Sequence, residues 1–357
     1  MKGKSEMQSH PIYKLTMPWE AESHNVWLAS TLALTRNFTK YKFPAKLDKG
    51  REQQIITLVF EALKTSSELK DLSLYRSEDV GPLEKEYLLE HYMNIEDFHQ
   101  AHGGEGFVVD EKGVFLGVVN LRNHLQLQII DTEQEIEKAW NRLIKIEESV
   151  GKSLEFAYNS RFGFLTNYPS HAGTGLVITL FLHIPAVIHM GELAEILERE
   201  KEEEIEAVGL QGSSTEMIGD ILVARNNCTI GLTEEYIITS LRMWATRAVV
   251  AEVSLRKKLK EGNNEHLKNK VARALGLLTH SYQLDTIEAL NAFSLVKLGI
   301  ELEWIKAPAT LNLNQIFFNC RRAHLMNLLE KKVSIPELPR KRAEYLQQIS
   351  SQLTLAF

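Results

Sequence analysis

Positions 118–130, VVNLRNHLQLQII, set polar side chains at strand spacing. On a two-residue repeat Leu121, Leu125, Leu127 and Ile129 share one face, and His124, Gln126 and Gln128 share the other. A histidine flanked by amides can accept, donate or relay a proton, so this face is the first candidate for lining a site. A lone strand histidine is more often held by structural hydrogen bonds than used in a reaction, and the segment by itself leaves both open.

The chain that must position this face has 357 residues, more than one compact core, which predicts two domains. A net charge of −6, from 41 bases and 47 acids, gives no electrostatic footprint for nucleic acid or an anionic membrane. Two cysteines, Cys228 and Cys320, are too few for a disulfide framework or a cysteine zinc site, so no metal is expected and the cytoplasm is the expected compartment. No stretch reaches the roughly 18 apolar residues of a membrane span, and the N-terminal twenty residues lack the apolar run of a secretion signal. GLVITLFLHIPAVIHM, interrupted by His183 and Pro185, reads as a buried strand.

The pattern changes character near residue 255. Before it, helices and strands mix. Ile55, Leu58, Val59, Ala62 and Leu63 form one helical stripe, and Pro82 opens a second helix. Residues 105–120 read as a hairpin turning at Asp110–Gly113. A helix capped by Asp131 or Thr132, with Ile136, Ala139, Trp140 and Leu143 as its stripe, closes at Gly151. Further strands are expected at EFAYNS, GFLTN, GLVITLFLHI and DILVARN, and the acidic run ELAEILEREKEEEIEAV as the wet face of a helix. Thr233 caps a long helix leading into a helical bundle. The expected fold class is therefore α+β, with domains 1–255 and 256–357. In the second domain Phe317, Phe318, Cys320 and Met326 are expected to be core.

Several strings, LTRNF, PLEKEYLLEHY, the Asn120-to-His124 spacing, FLTNYPSHAGTGL and SSTEMIGDILVARNNCTIGLTEE, resemble the catalytic core of the phosphagen (guanido) kinases in the form of the bacterial protein-arginine kinases. The resemblance continues through VARALGLLTHSYQLDTIEALNAFSLVKLGIELEWI and covers about residues 25–350. It implies an antiparallel sheet flanked by helices, then a helical dimerisation domain. It also implies transfer of the γ-phosphoryl of magnesium-ATP to a guanidinium nitrogen. Arginines, whose planar forks match phosphate oxygens, would hold the triphosphate, and acidic side chains would orient the guanidinium and take its proton.

On those positions this sequence departs from the family. The opening strand stands as ASTLALTRN, with Thr31 and Ala33 for the first two arginines, while Arg36 and Asn37 are kept. Asn-Glu-Glu-Asp-His-Ile-Arg stands as NLRNHLQ: Leu121 and Arg122 replace the glutamates, Gln126 the arginine, and Asn120 and His124 remain. Tyr168 stands for the cysteine before Pro169, Val177 for the arginine after Gly-Thr-Gly-Leu, Val208 for a further arginine and Ser213 for the loop glutamate; Glu216 is kept. Arg76 matches an arginine of the bacterial sequences. Five lost arginines remove charge-assisted hydrogen bonds of roughly 1.5–3 kcal/mol each, and Arg122 opposes a guanidinium substrate.

Three functions compete. The first is a pseudokinase acting as a scaffold in protein quality control, with no cofactor, a homodimer through the helical domain, and the family's usual associates, a zinc-binding adaptor and a Clp-type unfoldase. The second is an active protein-arginine kinase using magnesium-ATP through a rearranged clamp of Arg36, Arg76, Lys152 or Arg161. The third is a phosphoarginine reader using Arg340 and Arg342 in LPRKRAEYL, which resembles the family's C-terminal phosphoarginine-associated motif.

Overall fold

The computed structural model describes residues 10–18, 25–93, 98–101, 103–329 and 333–357. The first nine residues of the N-terminal stretch, and residues 330–332 of the expected helix ending EKK, lie outside that set.

In chain order the sheet-bearing half comprises β1 (Trp27–Arg36), α1 (Lys49–Lys64), β2 (Ser73–Arg76), α2 (Pro82–His91), β3 (Gly106–Val109), β4 (Phe115–Val119), β5 (Leu125–Asp131) and α3 (Ile136–Gly151). It continues with the short strands β6 (Tyr158–Asn159) and β7 (Gly163–Phe164), then β8 (Leu176–His183), α4 (Pro185–His189), α5 (Leu193–Arg199), β9 (Ile205–Gly209) and β10 (Ile221–Asn226). Eight strands form one antiparallel sheet in the order β2-β3-β4-β5-β1-β8-β10-β9. The helical half follows: α6 (Glu234–Glu261), α7 (Glu265–His280), α8 (Thr286–Glu301), α9 (Leu313–Asn319), α10 (Arg322–Leu328) and α11 (Leu338–Ser350), with a small ribbon of β11 (Ile305–Lys306) and β12 (Thr354–Leu355).

Local chemistry accounts for many boundaries. The Asp48, Thr233, Asn264 and Asp285 side chains each accept a first-turn backbone N–H, capping α1, α6, α7 and α8. Pro82 occupies the first position of α2. The Asp110 carboxylate accepts from Val114 N–H and Phe115 N–H, each at 2.9 Å, and fixes the β3–β4 turn.

Several expectations are corrected. Residues 118–130 are not one strand: the chain turns between β4 and β5, with Asn120 at φ +60 and its N–H bonded to the His124 carbonyl. Apolar alternation passes through this turn because Leu121 is covered by a second cluster around Tyr87, Phe107 and Val118. On α1, Ile56 is buried while Leu58 is exposed, since the helix packs one residue rotated from the stripe. Helix α3 begins at Ile136. Asp131 ends β5 and caps the intervening turn through Glu133 N–H. The acidic run is half helix and half strand, because β9 takes its bonds from β10 whatever its side chains. The helix expected over 311–332 breaks at Cys320–Arg321 into α9 and α10.

The two halves share one extensive contact. Residues 255 and 256 lie inside the unbroken α6. The Glu252 carboxylate accepts from Ala186 N–H and Val187 N–H at the start of α4 and binds Arg256, which also pairs with Glu301 and reaches the His183 carbonyl. Gly219, at φ +62, lies so near Phe317 that an added Cβ would stand 2.5 Å from its ring. The apolar stripe of α8 thus covers the 218–220 corner of the sheet-bearing half rather than standing as an isolated layer. Phe317, Phe318 and Cys320 are buried as expected, and Met326 is partly so.

Candidate functional site: one face of the central sheet

Strand register gathers the chemistry-bearing positions. Ala33 pairs with Gln128 on β5 and Val177 on β8. Thr31 pairs with Ile130 and Thr179, Thr35 with Gln126, and Val223 with Phe181 and Val208. Alternation puts Thr31, Ala33, Gln126, Val177 and Val208 on the same face, opposite the one that α1, α3 and α6 cover. The five positions assigned to nucleotide-binding arginines are therefore brought together, as a patch of methyls, one hydroxyl and one amide. Thr31 and Val208 are buried; Ala33, Gln126 and Val177 are half-buried. Gln128 is committed, its amide donating to the Tyr92 carbonyl at 2.6 Å.

The kept arginine is elsewhere. Arg36 closes β1 on the other face, 1% exposed, with Nε 2.7 Å from Glu147 Oε1. Its Nη1 donates to the carbonyls of Thr35 and Thr174, and its plane lies 3.5 Å from the Phe164 ring centroid. Arg76 alternates to that same opposite face on the edge strand β2. Lys152 follows α3, and Arg161 sits in the β6–β7 turn. The structure does not assemble these four into a clamp.

His124 answers the opening question. Its Nδ1 accepts from Phe38 N–H at 3.1 Å, its Nε2 donates to the Lys42 carbonyl at 2.8 Å, and it stacks against Phe38 and Phe43. Burial lowers its pKa below the usual histidine value, so it is neutral in this tautomer. Asn37 completes the knot by accepting from His124 N–H and donating to Asn123 and to the Leu165 carbonyl. Asn120 donates to the carbonyls of Glu52 and Gly104. The kept motif residues Arg36, Asn37, Asn120 and His124 all secure chain turns.

Where the family's two acids would meet a guanidinium, Leu121 faces the apolar cluster and Arg122 bonds the Tyr168 hydroxyl and Gln100. Two replaced positions thus satisfy each other. The cavity bounded by Thr35, Val118, Leu121, Arg122, Asn123 and Gln126 is about 10 Å³, the room of a single water and too small for a guanidinium group. Ser213 folds its own loop: its hydroxyl accepts from Thr215 N–H and Glu216 N–H, leaving the Glu216 side chain exposed.

A larger cavity of about 650 Å³ opens on the same face toward the helical half, between Phe181, Val223, Leu210 and Leu290. Its arginines were not legible as site residues. Arg225 is bound to Glu206 at 2.7 Å, Arg322 to Glu86 at 2.8 Å, and Arg321 donates to the Glu90 carbonyl at 3.1 Å. The only forward signals were the Arg321–Arg322 doublet and the four-residue spacing of Glu86 and Glu90. Glu90 also caps α10, accepting from Ala323 and His324 N–H, with His324 Nδ1 2.8 Å away. Arg340 and Arg342 do not converge: Arg342 is buried on the carbonyls of Cys320 and Leu284, while Arg340 is exposed beside Glu344. Among the described residues no group of three or more His, Cys, Asp or Glu could hold a metal.

Comparison with known proteins agrees with this architecture. The profile of the ATP:guanido phosphotransferase C-terminal catalytic domain matches residues 54–255, and that of the protein-arginine kinase McsB C-terminal domain matches 264–354. The protein-arginine kinase of Chlamydia pneumoniae is 37% identical over 305 residues, 85% of each chain, and that of Chlamydia muridarum 35% over 297 residues, 83% of each. That of Syntrophomonas wolfei is 29% identical over 331 residues, 92% of each. Among solved structures, the duplicated taurocyamine kinase from Schistosoma mansoni with bound transition state analog components superposes with a TM-score of 0.57 at 21% identity. That match covers 73% of this chain and 40% of that one. Lombricine kinase gives 0.56 at 16% identity, covering 69% and 71%. These two likenesses speak to the fold. With more than half of its length matched by the catalytic-domain profile and residues 264–354 by the C-terminal one, the chain belongs to the ATP:guanido phosphotransferase family, in its protein-arginine kinase branch.

Proposed function

We propose that this family member has lost phosphotransfer and acts as a binding or scaffold module, a pseudokinase, in protein quality control. The observation that carries this reading is the sheet face on which Thr31, Ala33, Gln126, Val177 and Val208 converge without a cation, while Arg36 is held on the opposite face by Glu147. Magnesium-ATP does not suit such a surface. A triphosphate against Val177 and Val208 would lose hydration without gaining a donor, and the nearby Arg225 is already neutralised by Glu206. No catalytic step is therefore assigned to these residues.

The printed activity of the relatives, protein-arginine kinase, is what makes the active reading the one to test. Purified protein incubated with labelled ATP and an unfolded protein substrate is expected to transfer no acid-labile label; labelled phosphoarginine on the substrate would replace this proposal with the active kinase. The phosphoarginine reader gains no support from Arg340 and Arg342, which point to different surroundings. A cytoplasmic setting, self-association, and a zinc-binding adaptor with a Clp-type unfoldase as associates belong to the same proposal. No helix of the described residues is long and apolar enough to cross a membrane.

A further inference from the structure

Where the two halves meet, a cavity of about 940 Å³ opens between α7, α8, the 217–220 corner and the end of α4. Asp220 lines it, 6% exposed, with a backbone φ of +53 that few residues other than glycine adopt. Two groups hold its carboxylate. The buried Ser294 hydroxyl donates to Oδ2 at 2.5 Å and accepts from His183 Nε2 at 2.7 Å, and His189 Nε2 lies 3.2 Å from the same Oδ2. Burial pushes the His183 pKa well below its ordinary value, so that ring is neutral, with its Nε2 proton on Ser294.

The other carboxylate oxygen is left over. Among the described residues Asp220 Oδ1 takes no hydrogen bond, and no lysine or arginine lies within ion-pair distance of it. A carboxylate withdrawn from water without a cation is costly, and side chains held on a strained backbone gather at binding sites. The charge at this point of the cavity calls for a cation. The walls add two further demands. Met217, Leu277 and Leu295 present apolar surface, which suits an aliphatic stem. Lys270 and Arg273, one turn apart on α7, also line the cavity, and neither is paired with an acid among the described residues. Asp285 and Glu288, at the start of α8, repel an anionic group from their side and leave the α7 cations as its place.

We propose that this cavity binds a small zwitterion, an amino acid whose cationic group and carboxylate stand at opposite ends of an aliphatic stem. Its ammonium or guanidinium meets Asp220 Oδ1, its stem lies on Met217, Leu277 and Leu295, and its carboxylate meets Lys270 and Arg273. The Ser294 and His189 contacts fix the Asp220 carboxylate in advance, so binding need not order it. Met217 and Asp220 belong to the sheet-bearing half and Lys270, Arg273 and Leu277 to the helical half, so the ligand ties the two together. The inference is independent of whether the protein transfers phosphate, and it places nothing on the sheet face of Thr31 and Val177.

Calorimetry and thermal unfolding of the full chain with 6-aminohexanoate, hexylamine and hexanoate test this, because the three share a stem and carry both charges, the cation alone or the anion alone. The zwitterion is expected to bind saturably at low-millimolar concentration, to raise the melting temperature, and to bind at least tenfold more tightly than either one-ended probe. Asp220→Asn, which keeps the shape and removes the charge, should weaken 6-aminohexanoate and hexylamine at least tenfold. Lys270→Gln with Arg273→Gln alters only the α7 wall and keeps the test open if Asp220→Asn fails to fold. That double variant, with circular dichroism verifying its fold, should bring the zwitterion down to the level of hexylamine and leave hexylamine unchanged. No saturable heat with 6-aminohexanoate would overturn the proposal. So would hexanoate binding as tightly as the zwitterion, or zwitterion binding that the α7 double variant leaves intact.

Discussion

Arg36 and Glu147 hold each other at 2.7 Å beneath the sheet, with side chains 2% and 10% exposed. The arginine that most invites reading as a surviving phosphate ligand is thus a strut between β1 and α3. Removing one member of a buried pair leaves the other charge uncompensated, so Arg36→Ala should cost about 3–5 kcal/mol in urea unfolding. The double variant Arg36→Met with Glu147→Leu should cost clearly less. If Arg36→Ala left stability unchanged, the strut assignment would be wrong.

The junction between the halves offers a second test. Gly219 has φ +62, and a Cβ there would meet Phe317 at 2.5 Å, so Gly219→Ala combines backbone strain with overpacking. A loss of about 1–3 kcal/mol is expected. Phe317→Leu in the same chain should recover part of it. Equal losses with and without that second change would place the strain elsewhere.

The outcome at these residues shows what could be read from sequence. The cap at Thr233 and the Asp110–Gly113 turn were legible because each acts within a few residues of itself. The β4–β5 turn was hidden, since Leu121 keeps the apolar alternation going while Asn120 reverses the chain through a left-handed backbone. Strand β9 was hidden for a different reason: an edge strand bonded through its backbone to β10 tolerates an acidic sequence. The motif resemblance marked Thr31, Ala33, Gln126, Val177 and Val208 as positions where arginines would be expected. It could not show that Arg122 had found Tyr168, or that Arg321 had found Glu90 from 231 residues away.

Acid should weaken this fold early. Burial lowers the pKa of His91, His124, His171, His183 and His324, that of His91 to about 3 from an ordinary 6.5. The unfolded chain takes up these protons first, so the contribution is complete above pH 6.5 and is lost as pH falls from there toward the folded values. Each such histidine adds a slope of about 1.4 kcal/mol per pH unit within its window. Urea midpoints should drop steeply as pH falls from about 6.5 to 5, and His91→Gln should flatten the slope by one proton's worth. A flat profile would show the histidines charged in the fold.

Rebuilding the site should require both of its halves. Arg122→Glu alone supplies a carboxylate but leaves Val177, Val208 and Gln126 facing the phosphate, and it unpairs Tyr168. It should produce no phosphoarginine. A variant with Glu at 121 and 122 and Arg at 31, 33, 126, 177 and 208 should regain at least binding of magnesium-ATP. Phosphoarginine from the single variant would mean that other residues already hold the nucleotide.

Titration of the wild-type protein with magnesium-ATP, followed by thermal unfolding and calorimetry, bears most directly on the loss of phosphotransfer. A ligand that binds only the folded state raises the melting temperature by mass action. With five arginine positions filled by Thr31, Ala33, Gln126, Val177 and Val208, no shift and no binding heat are predicted at low-millimolar nucleotide. A clear upward shift with saturable heat would contradict the account.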